Sequence, residues 1–377
     1  MLYNVHLLRV IAALLVVYFH IASSAGLHLP LAFGICGVDV FFVISGFIIA
    51  YIGSRKPDAF FTRRLIRIVP FYWSASLFVF GIAWLFPQHL RQARADIPHL
   101  LHSLFFIPHE TTYCGTFPTL ILGWSLNYEM YFYALFAVAL MISRRHAPLF
   151  CCALLALVSG SIWLSRTESA ALGFYGASIV LEFVLGICVY YLAEWISARA
   201  QDLRELRWLK SVLFAAILTA FVFLVVQEIW EGFGLPRFIC GGLPSFLIVL
   251  GAILLERIYR VSAKNGPVLL LGEASYILYL IHPYVVYGVL RLIVGPVTGF
   301  STFTLGLLTL VLLILPTAAA VAIHLWFEKP LMELLRRMIF RTPGAPESPV
   351  SEPPLVGPMP MGLPNNVTAG WRSMESG

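Results

Sequence analysis

Long apolar stretches, separated by short polar segments, follow one another along most of the chain. Ten of these stretches contain roughly 17–26 residues, enough for a helix to cross a hydrocarbon core of about 30 Å. They lie near residues 7–26, 33–52, 69–87, 119–142, 148–165, 173–194, 211–228, 238–256, 268–291 and 302–327. This pattern predicts an all-α, polytopic membrane protein with about ten transmembrane helices.

The amino-acid composition supports a membrane protein and excludes a soluble one. Hydrophobic residues make up 60% of the 377 residues, charged residues make up 12%, and the mean hydropathy is +0.86. A soluble globular chain is about half apolar and about a quarter charged. Because a soluble fold of this length could not bury so much apolar surface, we expect the chain to lie in lipid.

The positive charges predict the side of the membrane on which each loop lies. With the N-terminus in the cytoplasm, 20 of the 25 Lys and Arg residues fall on the cytoplasmic side. Positively charged loops are retained in the cytoplasm, so this alternation predicts that both termini are cytoplasmic. It also explains the net charge of +6 without a nucleic-acid partner.

Two segments differ from the membrane-spanning pattern. Residues 88–118 form the longest outer loop, whose amphipathic middle, IPHLLHSLFFIP, could lie in the interface or re-enter the membrane. Residues 342–377 contain eight prolines and almost no apolar run, which predicts a disordered cytoplasmic tail. The membrane domain is therefore expected over residues 1–341.

The N-terminus and the cysteines leave two alternatives open. The first apolar stretch ends near Ala-Ser-Ser-Ala, as in a signal peptide, but its length and its polar residues favour a retained helix. The six cysteines show no metal-ligand spacing, so no metal site is predicted. A disulfide between Cys36 and Cys114, both on the outer side, is an alternative to free thiols.

Arg9 and His20 stand at the two ends of an uncharged run of ten residues. Eleven helical steps make about three turns, so both side chains share one face, about 16 Å apart along the axis. As an alternative, Arg9 is a positively charged anchor that sets the topology, and His20 is a histidine that only packs inside the bundle. Ionisable groups at membrane depth are costly, so both are candidate functional residues.

Asp39, within GVDVFFVISGF of the second segment, lies at nearly the same depth as His20. We place Asp39 roughly 6 Å and His20 roughly 9 Å from the outer face. A carboxylate beside an imidazole orients the ring and stabilises its protonated form. We therefore predict a catalytic His20–Asp39 dyad, with a purely structural ion pair as the alternative.

Three arginines, Arg63, Arg64 and Arg67, precede the third segment on the same side as Arg9. Part of this charge is a topology signal, but Arg67 lies closer to the membrane than that signal requires. Guanidinium groups bind phosphates through paired hydrogen bonds, and coenzyme A carries a diphosphate and a ribose phosphate. These four arginines are the predicted binding residues for such a molecule.

Two later segments carry further candidate catalytic residues. Glu129 lies about 15 Å from the outer face, so it must face the bundle interior. Tyr279 and His282 are three residues apart and share one face of the ninth segment, where either could stabilise an oxyanion. Walker, GxSxG and HExxH motifs are absent from the sequence, so the chemistry must come from embedded residues.

Ordered motifs across residues 9–331 resemble the acyltransferase 3 family of integral membrane acyltransferases, and most of all bacterial exopolysaccharide O-acetyltransferases. The motifs are the arginine and histidine separated by ten residues, then GVDVFFVISGF, RRLIRIVPFYW, WSLNYEMYFY, SYILYLIHP and FEKPL. Met130 stands where the family commonly has a second acidic residue, which argues against a two-carboxylate mechanism at this helix.

The resemblance implies a bacterial inner-membrane enzyme that takes an acyl group, usually acetyl, from cytoplasmic acetyl-CoA and transfers it to a sugar hydroxyl. It also implies that Arg9, His20, Arg64 and Arg67 are required. His20 is then a general base or is itself acylated, and the sequence leaves both alternatives open.

A different class of function is also compatible with embedded acids and histidines. Such residues form proton relays in transporters, so a proton-coupled carrier of a saccharide or lipid-linked saccharide is the alternative. The two halves of the chain show no clear internal repeat, which many carriers have, and this favours the acyltransferase.

Overall fold

The computed structural model describes residues 2–24, 33–87, 94–230, 234–291 and 301–340, and these ranges form a helical bundle without a named strand. The α-helices are α1 Tyr3–Ala22, α2 Gly37–Arg55, α3 Phe60–Leu85, α4 Ile97–Leu104, α5 Trp124–Ile142, α6 Ala147–Ser165, α7 Ala170–Tyr175, α8 Leu181–Ser197, α9 Ala200–Glu205, α10 Arg207–Ile229, α11 Leu243–Tyr259, α12 Gly266–Val289, α13 Thr302–Ile323 and α14 Lys329–Phe340. Short 3₁₀ turns precede α5 and α8, and π-helical turns precede α11 and α14.

Ten of the helical stretches are long and apolar enough to span a membrane, which confirms the predicted number. Four of them combine more than one helical element: Ile121–Ile142, Ala170–Ser197, Phe238–Tyr259 and Phe303–Phe340. The first begins at Tyr3 and the third at Phe60, several residues before the predicted starts. The arginines of both segments are therefore part of the helices. The predicted tail, residues 342–377, lies outside the described residues.

Helix α1 is central, and glycines let α2 approach it closely. Ala13, Val16 and Val17 on α1 are fully buried. A Cβ atom on Gly37 would lie 2.3 Å from the carbonyl oxygen of Ala12, so only glycine fits there. Gly34 has φ +118°, a left-handed conformation that favours glycine. The start of α2 therefore lies directly on the backbone of α1.

Two partly buried carboxylates fix the N-terminal ends of these helices. Glu256 of α11 accepts hydrogen bonds from the backbone N–H groups of Tyr3 and Asn4, each at 2.8 Å. Glu228 of α10 accepts hydrogen bonds from the N–H groups of Gly34 and Cys36. A helix N-terminus leaves N–H groups without partners and carries a partial positive charge, so each carboxylate stabilises it.

The two outer cysteines remain free thiols, so the alternative of a disulfide between them is wrong. Cys36 is buried at the start of α2. Cys114 lies in a tight turn, where its sulfur is 2.9 Å from the hydroxyl oxygen of Thr111. Each thiol is held by its own segment, and the structure contains no bond between them.

The outer loop contributes a short helix that packs on α3. The Tyr72 hydroxyl donates a hydrogen bond of 3.0 Å to the carbonyl oxygen of Ser103, and the Trp73 indole N–H donates one of 2.8 Å to that of Leu104. The exposed apolar side chains here are Ile97, Leu101 and Phe105. This arrangement is typical of an amphipathic helix that lies in the membrane interface.

Helices α2 and α8 touch through a pair of glycines, which yields a test of the bundle. A Cβ atom on Gly46 would lie 2.2 Å from the carbonyl oxygen of Phe183, whereas one on Gly160 would meet nothing within 4 Å. We expect Gly46→Ala to lower the free energy of unfolding by about 1–3 kcal/mol, because the helices must separate. The change is measured as a lower melting temperature of the detergent-solubilised protein.

Gly160→Ala in α6 is the matched control for this substitution. Alanine is the better helix former, so Gly160→Ala should leave the melting temperature unchanged or slightly raised. Equal melting temperatures for the two variants would show that α2 and α8 are not in the close contact described.

Candidate active site

A polar cavity lies between α1, α2, α3, α5 and α12. The empty space between these helices, including the open solvent at its mouth, is about 810 Å³. The charged and hydroxyl-bearing side chains that line it are Arg9, Ser45, Arg64, Arg67, Ser125, Glu129, Tyr133, Ser275, Tyr276 and Tyr279. The remaining lining residues are aliphatic or phenylalanine, so the polar groups form a track through an apolar wall.

Arg9, Arg64 and Arg67 form one end of the cavity, called here the arginine end. Arg64 and Arg67 are three residues apart on α3, so they share one face. Within the described ranges, no carboxylate lies in ion-pair distance of these three guanidinium groups. Several cations in a medium of low dielectric constant repel one another. The cluster therefore suits an anion.

Arg63 takes no part in this cluster, although it was predicted together with Arg64 and Arg67. Its side chain is exposed, and its guanidinium carbon lies 4.9 Å from the centre of the Phe340 ring. One residue along a helix turns the side chain by about 100°, so Arg63 cannot share the face of both its neighbours. Spacing alone does not tell which of Arg63 and Arg64 joins Arg67, because each lies one helical turn from it.

Glu129 lies on the wall of the cavity, as its depth predicts. Its Oε1 accepts a hydrogen bond of 3.0 Å from the Ser45 hydroxyl and another from the Tyr133 hydroxyl. These two donors come from α2 and from the next turn of α5. They hold a carboxylate in the middle of the track, between the arginine end and Tyr279.

The described cavity reaches as far as Tyr279, whose hydroxyl oxygen accepts a hydrogen bond of 2.8 Å from Ser125. The ring of Phe41 packs edge-to-face against Tyr279, with 6.2 Å between ring centres. The Ser125 hydroxyl also lies 3.1 Å from the carbonyl oxygen of Leu122, so its single hydrogen serves one of these two acceptors at a time.

His20 and His282 form a pair one turn beyond Tyr279, called here the histidine end. His282 is fully buried, and its Nε2 lies 3.2 Å from Nδ1 of His20. In each ring, Nδ1 also lies close to a backbone carbonyl, 2.9 Å from that of Val16 and 3.0 Å from that of Leu278. A carbonyl oxygen can only accept, so both Nδ1 atoms carry the proton.

This tautomer assignment gives the two histidines different roles. Nε2 of His282 carries a lone pair and accepts from the Nδ1–H group of His20. Nε2 of His20 then also carries a lone pair, and among the described residues it has no hydrogen-bond partner. His20 is therefore the ring arranged to take a proton, and His282 is the ring that orients it.

The predicted pairing of His20 with Asp39 is wrong. The Asp39 carboxylate instead accepts two hydrogen bonds from Arg237, from Nε at 2.9 Å and from Nη2 at 3.0 Å. Residue counting gives the depth of a side chain along a helix axis, but not the neighbour that its face meets. At matched depth, Asp39 faces the start of α11, and His20 faces α12.

Arg237 was missed as a site residue and assigned only to the outer loop charges. It precedes the π-helical turn Phe238–Gly242. A Cβ atom on Gly241 would lie 2.4 Å from Oδ1 of Asp39, so the carboxylate occupies the space of a side chain. The sequence does contain a signal for this site, because Arg237 is followed by the adjacent glycines Gly241 and Gly242 at the start of an apolar segment.

A cluster of one histidine and two glutamates joins α12 to the turn that follows α13, near the arginine end. His324 Nδ1 lies 2.6 Å from the carboxylate of Glu328, and its Nε2 lies 3.5 Å from that of Glu273. Both acids therefore have a partner, in contrast to the arginines of the cavity. This group fixes the π-helical turn His324–Glu328 against α12.

Comparison with known proteins assigns the chain to a family. Residues 2–325 match the acyltransferase domain of acyltransferase 3 proteins. The chain belongs to the acyltransferase 3 family. As a member of this family with ten membrane-spanning helices, it is an enzyme, a multi-pass membrane O-acyltransferase.

Three curated relatives of this acyltransferase illustrate the similarity. It is 35% identical to the exopolysaccharide production protein ExoZ of Rhizobium meliloti, over 83% of this chain and 94% of ExoZ. It is 28% identical to the acyltransferase MdmB of Streptomyces mycarofaciens, over 88% and 91% of the two chains. It is 25% identical to the O-acetyltransferase OatA of Staphylococcus aureus, over 74% of this chain and half of OatA. No solved structure matches the acyltransferase significantly.

The arginine end of the acyltransferase predicts binding of a phosphate-bearing anion. Inorganic pyrophosphate should raise the melting temperature of the purified enzyme, because a ligand that binds only the folded state stabilises it. Arg64→Gln should weaken this binding by about 10- to 100-fold, the loss expected for a charged hydrogen-bond donor.

Arg63→Gln is the matched control, since this neighbouring arginine lies outside the cavity. It should leave pyrophosphate binding unchanged. An equal loss in the Arg63 and Arg64 variants would mean that general surface charge attracts the anion and that the cavity does not bind it.

Proposed function

We propose that this enzyme transfers an acyl group, acetyl in the simplest case, from cytoplasmic acyl-CoA to a saccharide hydroxyl. The acceptor is an exopolysaccharide or its lipid-linked precursor, and the enzyme lies in the bacterial inner membrane. One observation carries the proposal: a cavity begins at three arginines that, among the described residues, have no carboxylate within ion-pair distance, and it reaches Tyr279, one helical turn from His282, whose Nε2 contacts His20. The names of the relatives ExoZ and OatA support the acceptor class and the acetyl group.

The dimensions of α1 suit a coenzyme A thioester. Helix α1 runs without interruption from Tyr3 to Ala22, so Arg9 and His20 are about 16 Å apart along its axis. An extended pantetheine arm measures on the order of 15–20 Å from standard bond lengths. Phosphates bound at the arginine end would therefore leave the thioester near the histidine end. Glu129 is the acceptor available to the amide groups of the arm.

In the proposed transfer, His20 acts as the general base. Its Nε2 takes the proton of the acceptor hydroxyl while the hydroxyl oxygen forms a bond to the thioester carbonyl carbon. The carbon–sulfur bond then breaks, and the leaving thiolate takes the proton from Nε2 of His20, which restores the neutral base. The carbonyl of Val16 and Nε2 of His282 stabilise the charged ring through its Nδ1–H group. Tyr279 turns its hydroxyl hydrogen from Ser125 to the developing oxyanion and donates it there.

His20→Ala should abolish acyl transfer while the abundance of the enzyme in the membrane stays normal. A general base contributes about 10²–10⁴-fold to the rate, and the lost imidazole cannot be replaced from the apolar surroundings. His282→Ala should cost less, about 10- to 100-fold, because it removes only the orienting partner. Transfer is measured as acetyl incorporation into polysaccharide by NMR.

His102→Ala is the matched control, since this half-buried histidine lies on the short helix α4 and does not line the cavity. It should retain full activity. Full activity of the His20→Ala variant would remove His20 from the chemistry and with it the proposed mechanism.

A second experiment separates the transferase from a carrier. Purified enzyme with labelled acetyl-CoA and a saccharide acceptor should release free coenzyme A and acetylate the acceptor in equal amounts. If proteoliposomes instead accumulate unmodified saccharide without any acyl-CoA, the protein is a carrier, and the proposed function is wrong.

A further inference from the structure

Arg237 is held in one orientation by a buried acid. The side chain of Asp39 is 3% exposed and that of Arg237 is 38% exposed, so the pair extends from the protein interior to an open surface. Two parallel hydrogen bonds join them. A guanidinium group has five N–H donors, and three of them take no part in this ion pair. These three donors are fixed in direction by the other two.

The surroundings of Arg237 cancel its positive charge. Glu182 on α8 is fully buried and interacts with both Asp39 and Arg237. Gly242 lies against it, since a Cβ atom there would be 3.1 Å from Cγ of Glu182. Arg237 therefore forms an ion pair with one acid and has a second acid nearby, whereas the three arginines of the arginine end have no carboxylate of the described residues within ion-pair distance.

The Asp39–Arg237 pair lies next to the Tyr279 end of the cavity. The guanidinium carbon of Arg237 is 5.9 Å from the centre of the Trp124 ring, which itself packs edge-to-face on Phe42 of the cavity wall. Arg237 also interacts electrostatically with Tyr279. A group bound by Arg237 is therefore close to the place where the donor thioester is proposed to lie.

Fixed N–H donors without net positive charge suit neutral oxygen acceptors better than they suit phosphate. Saccharide hydroxyls are such acceptors, and the indole ring beside the guanidinium offers a flat apolar face to a sugar ring. We propose that Arg237, positioned by Asp39, binds the hydroxyl groups of the acceptor saccharide at the histidine end of the cavity. This inference rests on the proposed acyl transfer and assigns its acceptor site.

The test compares acceptor and donor kinetics in the full-length enzyme. The assay uses acetyl-CoA as donor and a neutral oligosaccharide of the host polymer as acceptor. We expect Arg237→Gln to raise the KM for the acceptor by about 10- to 100-fold, the loss expected for hydrogen bonds from a charged donor. The KM for acetyl-CoA should stay unchanged, since its phosphates lie at the other end of the cavity. Equal changes in both values would overturn the inference.

A double variant separates acceptor binding from a structural role. Arg237→Gln alone leaves the buried Asp39 charge without a partner, which destabilises a protein. The double variant Asp39→Asn with Arg237→Gln contains no such charge and should recover the melting temperature of the wild type. If Arg237 binds the acceptor, the double variant keeps the raised acceptor KM. If the acceptor KM also returns to the wild-type value, the pair is only structural and the inference is wrong.

Arg144→Gln is the matched control, because Arg144 forms an exposed ion pair of 3.0 Å with Asp58 and neither residue lines the cavity. It should change neither KM value.

A phosphorylated form of the same oligosaccharide tests whether the site prefers neutral acceptors, and it should bind no better than the neutral form. Tighter binding of the phosphorylated form that is lost in Arg237→Gln would show an anion site instead. Failure of the wild type to use acetyl-CoA would overturn the proposed function, whereas an unchanged acceptor KM in Arg237→Gln would overturn this inference alone.

Discussion

The cost of placing charge in a hydrocarbon environment governs the arrangement of this bundle. Asp39 pairs with Arg237, and His324 pairs with Glu328, so these charges are neutralised where they are buried. The carboxylate of Glu228 accepts hydrogen bonds from backbone N–H groups at a helix start. Within the described ranges, the arginine end differs from these groups, since its cations have no acidic partner. A site that remains unneutralised in such surroundings is suited to a charged ligand.

The first helix connects the two halves of the proposed reaction. Arg9 and His20 share one face of α1, so the helix itself fixes the distance between phosphate binding and acyl transfer. Buried glycine contacts with α2 and the capping of its N-terminus by Glu256 hold this helix in place. Positioning of this kind reduces the entropy lost when donor and base are brought together. The rigidity of α1 is thus part of the chemistry.

Helical periodicity and hydropathy predict those features that depend on a single helix. They give the ten spans, the shared face of Arg9 and His20, and a Glu129 that faces the interior. They fail where the partner comes from another helix. Asp39 meets Arg237 because of the rotation of α2 against α11, and that rotation depends on glycine contacts between helices far apart in sequence. The orienting role of His282 was missed for the same reason. Residue counting predicted how deep His282 lies in the membrane, but it could not predict the contact with His20.

The central claim is that one molecule of acyl-CoA extends along α1 from the arginines to His20. Cryo-electron microscopy of the enzyme with bound coenzyme A tests this most directly. The account predicts density for the diphosphate between Arg9, Arg64 and Arg67, with the thiol beside Tyr279 and directed at His20. Coenzyme A bound outside this cavity, or bound with its thiol directed away from the histidine end, would contradict it.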